Sequence, residues 1–208
     1  MEFLNPQYLA DVIAAHPHYV AAVLFAVMFA ESLLAVGYLV PAGTLLFSAG
    51  ALIAVGVVSP EAAVLGAALG ASLGSFCSYA VGRTFSTRIE GLWPFSRYPS
   101  LLERNRVFVR RHGGKSLFMG RFTKILRPTV PAVAGMLDMP LRRFTLFNLS
   151  GCLAWTSTYL GVGFLLGSSA EFTPQQTIQL SALLLTATLL FGLTTMAVRR
   201  HRARAADS

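Results

Sequence analysis

Three charged residues sit where charge is expensive. Glu31 is the one acidic residue inside an apolar run of this 208-residue chain, and Arg121 and Arg127, with Lys124 between them, interrupt another. A charge near the centre of a bilayer costs about 2.5–3.5 kcal/mol on insertion scales, so such residues face a partner or a polar cavity and mark functional sites. A guanidinium offers a planar fork of donors matched to phosphate. Two of them six positions apart point to an anion site, and Glu31 to a protonatable group able to couple transport to protons. The plainer reading places Glu31 about one turn from the outer end of its run and the three cations beside headgroups, reaching the interface along their stems. Pro128 is placed to open the first turn of a returning half-helix. That helix would aim its N-terminal N–H groups at the same anion.

The chain that must position these groups is built for lipid. It is 54% hydrophobic and 12% charged, with a mean hydropathy of +0.60, whereas a soluble domain carries about 25% charged residues. Met1-Glu2-Phe3 has no basic n-region and no small-residue cleavage site follows, so the whole chain is expected to be retained as one membrane domain over 1–208. The net charge is +8 and all 17 Lys and Arg lie at or after Arg83. They flank apolar spans without any recognition motif, which reads as cytoplasmic loops and not as nucleic-acid binding. Cys77 and Cys152 lack metal-ligand spacing and read as small buried residues; no metal or cofactor motif occurs.

Apolar periodicity predicts an all-α integral membrane fold: about four transmembrane helices, two opposed re-entrant helical hairpins forming an inverted repeat, and short interfacial helices. Residues 5–17 suit an interfacial helix. Residues 18–35 are long enough to span about 30 Å. Residues 36–56 are broken at Pro41-Ala42-Gly43-Thr44, read as a turn with Thr44 an N-cap, and suit a hairpin; a single kinked span is the alternative. Residues 61–82 carry Gly66, Gly70 and Gly74, a small-residue stripe that lets another helix approach closely and is compatible with a homo-oligomer. Residues 83–115 are basic and contain an amphipathic stretch from Pro99 to Gly113-Gly114. Residues 116–137 suit a second hairpin with its tip near Arg127-Pro128. Spans at 144–167 and 175–198 and a basic tail over 199–208 complete the chain. The positive-inside rule then puts both termini in the cytoplasm, runs 18–35 outward and 61–82 inward, and makes the hairpins enter from opposite faces. That is the pattern of transporters that bind substrate near the midplane.

The stretch Gly120-Arg121-Phe122, Arg127, Pro131, Ala134-Gly135-Met136, Met139-Pro140, Arg143-Phe144, Asn148, Gly151 and Trp155 resembles the DedA family, whose core is the VTT or SNARE-associated domain. Arg111-His112-Gly113-Gly114-Lys115, Gly70, Gly74, Tyr79, Gly82-Arg83 and the spacing of Glu31 from Pro41 are similar too, so the likeness covers about 20–195. The resemblance implies a multi-pass bacterial inner-membrane protein with opposed hairpins. It also implies transport of a lipid phosphate, notably the carrier undecaprenyl phosphate, in support of the envelope and of proton-motive force. Glu31 is implied as the proton-coupling acid and Arg121 and Arg127 as the phosphate site, with Pro41, Thr44, Lys124, Pro128 and Asn148 as supporting residues. Two departures stand out. Relatives often carry an acid soon after the proline matching Pro41, where this chain has Gly43-Thr44, and a Gly-Asp pair where it has Gly74-Ser75.

Three other readings use the same residues. A proton-coupled small-ion transporter needs no lipid, so protons or other cations would be the partners. A lipid-phosphate enzyme is disfavoured: Arg127-Pro128 has no catalytic histidine motif after it, and His16, His18, His112 and His201 have no nucleophile beside them. A membrane scaffold does not need buried arginines.

Overall fold

The computed structural model describes residues 17–34, 42–86, 99–124 and 126–169, with residues 91, 96, 173, 176, 177, 179–181 and 183. Every element within them is a helix: α1 (Pro17–Ser32), α2 (Ala42–Ala54), α3 (Pro60–Thr84), α4 (Pro99–His112), α5 (Lys115–Gly120), α6 (Val130–Met136) and α7 (Leu141–Ser169). The predicted interfacial helix at 5–17, Pro41, and most of the span 175–198 with its basic tail lie outside the described residues.

Among the described residues two helices, α3 and α7, are long and apolar enough to cross a membrane. At about 1.5 Å per residue they measure about 37 and 43 Å. Pro60 opens α3 behind Ser59, with Glu61 in its first turn and Arg83 in its last, a charge order that complements the helix dipole. The corner before α7 is a Schellman turn. Asp138 takes a left-handed conformation (φ 50°), its N–H bonds the Gly135 carbonyl, and the Met139 N–H bonds that of Ala134, both at 3.0 Å. Pro140 then prevents α6 from continuing.

The two long helices run antiparallel. Asn148 bonds Ser72, and Phe144 packs edge-on against Phe76 and tilted against Tyr79, four and seven residues further along α3. The short helices flank them. Gly66, Gly70 and Gly74 lie against the backbone of Ala21, Phe25 and Phe29 in turn, so α1 runs parallel to α3. Gly43, Gly163 and Gly167 lie against Tyr159, Phe47 and Ala51, so α2 runs parallel to α7, and therefore antiparallel to α1. The contacts of Gly114 with Phe147 and of Gly151 with Phe118 set α5 parallel to α7 as well.

Two expectations are corrected here. The turn expected over Pro41–Thr44 is not present at its described residues: Ala42, Gly43 and Thr44 are already helical in α2, so Thr44 is not an N-cap. Gly43 and Gly50 read as breakers, but they allow close packing. A Cβ on Gly43 would stand 3.1 Å from the Tyr159 ring, and one on Gly50 would enter the Leu160 carbonyl. The run 18–35 is not a crossing directed against 61–82. It is a 16-residue helix, about 24 Å long, parallel to α3, so its start lies at the end of the molecule away from Arg83.

Two apolar clusters result. One gathers Tyr79, Leu102, Val109, Leu117, Val130, Val133 and Phe144. The other gathers Leu24, Met28, Leu46, Ala63, Ala67, Trp155 and Leu160. Between them lies a layer of buried polar side chains.

Candidate functional site

Glu31 is the last residue but one of α1 and is 5% exposed. α1 ends beside α3, where Ser78 Oγ donates to the Ser32 carbonyl at 2.9 Å. Arg121 follows α5 directly and is 4% exposed; Arg127 comes six residues later and is 8% exposed. The chain between them is knit by successive turns. The Thr123 N–H bonds the Gly120 carbonyl at 3.1 Å, the Leu126 and Arg127 N–H groups bond that of Thr123 at 3.1 and 3.0 Å, and the Thr129 N–H bonds that of Leu126 at 3.1 Å. This succession of turns holds both arginines toward α3 and α7. Thr129 Oγ1 donates to Asn105 Oδ1 at 3.2 Å, which ties the turn to the amphipathic helix α4.

The two guanidinium groups are engaged differently. Arg127 Nη1 donates to Glu31 Oε1 in a buried ion pair. Its Nε bonds the Arg121 carbonyl at 3.0 Å, and its Cζ lies 4.2 Å above the Trp155 ring, a cation–π contact. Arg121 directs Nη2 at three acceptors: Ser75 Oγ at 2.6 Å, Asn148 Oδ1 at 2.8 Å and the Ala71 carbonyl at 3.3 Å. Its Nη1 is buried without a protein partner, as are Glu31 Oε2, Ser32 Oγ and Trp155 Nε1. A buried ion pair is tolerable only where geometry and further hydrogen bonds offset desolvation. Arg127 has those bonds, whereas Glu31 and Arg121 each keep one buried polar atom without a protein partner. The group lies at residues 71–78 of α3 and 148–155 of α7, around the middle of both long helices.

The structure thus brings Glu31, Arg121, Arg127 and Asn148 together. Lys124 is exposed on the turn, outside the buried group. Thr44 lies in the first turn of α2. Pro128 is buried in the turn but does not open the returning helix; α6 starts at Val130 with Pro131 in its first turn. The expected amide site at its N-terminus is also corrected. The Val130 N–H is bonded to the Leu126 carbonyl at 2.9 Å, and Pro131 has no N–H to offer. Sequence reasoning saw Ser75 only as a missing acid, and it is an acceptor for Arg121. Ser72 and the stacking role of Trp155 were not anticipated. A polar stripe, Ser72-Ser75-Ser78, on an Ala/Gly-rich helix was the available signal. Among the described residues no group of three or more His, Cys, Asp or Glu could hold a metal ion.

Comparison with known proteins settles the family. The VTT domain model matches residues 16–165, which includes every residue of the buried group. The chain belongs to the DedA family of membrane proteins. It is 32% identical over 165 residues to "Protein DedA" of Escherichia coli K12, covering 77% of this chain and 75% of that one. It is 37% identical over 158 residues to inner membrane protein YghB of the same strain (73% and 71%), and 32% identical over 175 residues to inner membrane protein YqjA (82% and 79%). None of these three names denotes an enzyme. No solved structure matches the chain. In this family member Glu31, Arg121 and Arg127 lie in one buried centre.

Proposed function

We propose that this protein moves a lipid phosphate, undecaprenyl phosphate above others, across the bacterial inner membrane in support of envelope homeostasis. The observation that carries the reading is the buried Glu31–Arg127 pair beside Arg121, with a donor still free, at the middle of α3 and α7. If those two helices span the bilayer, the centre lies near the midplane, where only a translocated group or its counter-ion needs a positive site. The α1–α2 pair supports the same reading. Each arm, about 24 and 20 Å long, is short of a full crossing. The two run antiparallel, as the arms of a re-entrant hairpin do, and the 115–136 segment enters from the other end to meet them. The relatives named as inner membrane proteins support the location.

In this mechanism Arg121 donates to the phosphate, Arg127 balances its charge, and Glu31 takes up and releases a proton as the headgroup exchanges. The acyl or prenyl chain stays in lipid, so only the headgroup enters the centre. The test is reorientation of the carrier lipid in proteoliposomes. Arg121→Lys and Arg127→Lys should slow it at least about tenfold in folded protein, because a compact ammonium cannot reproduce a planar fork. Unchanged translocation would remove the site assignment. Proton flux in vesicles free of carrier lipid would transfer the reading to proton-coupled ion transport.

A further inference from the structure

Four buried atoms around the centre lack a protein partner: Arg121 Nη1 and Trp155 Nε1 are donors, Ser32 Oγ can act either way, and Glu31 Oε2 is an acceptor. The two charged groups, Arg121 and Glu31, thus offer open atoms of opposite kind. Arg127 fixes the carboxylate between them: it bonds the other oxygen, and its own plane is held by Trp155 and by the Arg121 carbonyl. A bound group must therefore present both an acceptor and a donor. A phosphate diester has acceptors only. It would satisfy Arg121 but set a phosphate oxygen against a carboxylate oxygen. A phosphate monoester that keeps one proton offers P–O⁻ to Arg121 and P–OH to Glu31.

Charge balance agrees. Arg121 and Arg127 contribute two positive charges and Glu31 one negative charge. A singly charged headgroup makes the buried set neutral, and a fully ionised monoester would leave it negative where desolvation is costly. At this level α1 adds Ser32, α3 adds Ser72, Ser75 and Ser78, α7 adds Asn148, Cys152, Trp155 and Tyr159, and Lys124 is exposed on the turn. None of these side chains bonds Glu31 Oε2.

We infer that the centre selects a phosphate monoester in its singly protonated form, with Glu31 Oε2 accepting the P–OH hydrogen and Arg121 Nη1 donating to a P–O⁻ oxygen. The inference rests on the lipid-phosphate reading and narrows it. Its test is binding to the full-length protein in a phosphate-free detergent, with polyprenyl phosphate, its methyl ester and inorganic phosphate as probes. The monoester should bind at least about tenfold more tightly than the methyl ester, because a site built around a donor rejects the analogue lacking it. In Glu31→Gln an amide N–H₂ can face the ligand in place of Oε2, so the preference should collapse. A merely steric exclusion of the methyl group would persist in that variant and overturn the inference. Equal affinity for both esters in the unaltered protein overturns it while leaving the lipid-phosphate reading standing. Binding of neither ester overturns both. Inorganic phosphate binding as tightly as the lipid keeps the P–OH and P–O⁻ contacts but identifies a soluble ion as their source, which overturns the monoester assignment.

Discussion

α3 presents two seams of opposite character. Toward α1 it offers Gly66, Gly70 and Gly74, which lie directly against the backbone of Ala21, Phe25 and Phe29. Toward α7 and the 121–129 turn it offers Ser72, Ser75 and the Ala71 carbonyl, all engaged by Asn148 or Arg121. The first seam is close and apolar; the second is polar and incompletely satisfied. One helix thus fixes the arm that carries Glu31 by shape, and the arginine turn by hydrogen bonds. The first seam sets how closely the arm carrying Glu31 approaches α3, and the second supplies the chemistry.

The largest expected effect comes from leaving the polar centre charged but unpaired. Arg127→Ala strands the Glu31 carboxylate and should destabilise the protein by about 3–5 kcal/mol. Glu31→Gln combined with Arg127→Ala should recover part of that loss, and thermal unfolding of the single and double variants measures the coupling. If the double variant is no more stable than Arg127→Ala, the pair is not held as described. Next comes the glycine seam. Gly70→Ala forces a methyl into the Phe25 carbonyl and should cost about 1–3 kcal/mol through overpacking, read as a fall in melting temperature. Asn148→Ala removes a shared partner of Arg121 and Ser72 and should cost about 1–3 kcal/mol. Unlike Gly70→Ala, it should also weaken phosphate binding. Ser75→Asp should leave the fold intact and pair with Arg121, reducing anion affinity measured in the same detergent system. Lys124→Ala should change stability by no more than about 0.5 kcal/mol; a larger loss of transport would place that exposed cation on the path of the headgroup.

The centre was largely legible in the sequence because its cost was legible. Glu31, Arg121 and Arg127 stood out as charges in apolar runs, and the structure joins them. Asn148 came through the family motif alone, since an asparagine in a long apolar helix carries no unique spacing. Ser75 was hidden because serine among Ala and Gly reads as one more small residue. The all-helical class and the extents of α3 and α7 followed from apolar length. The first hairpin did not. Gly43 and Gly50 look like breaks until their neighbours on α7 are known, and no Lys or Arg precedes Arg83 to orient α1 by charge.

The seam between α1 and α3 has a repeat of four residues on both sides. Shifted by one helical turn, about 6 Å, Gly70 would face Ala21 and Gly74 would face Phe25, and the steric fit would be nearly reproduced. Packing therefore defines a set of registers, not one. What singles out the observed register is polar: Ser78 to the Ser32 carbonyl and Glu31 to Arg127. The same carboxylate that faces the ligand atom is thus also the catch that holds its helix in step.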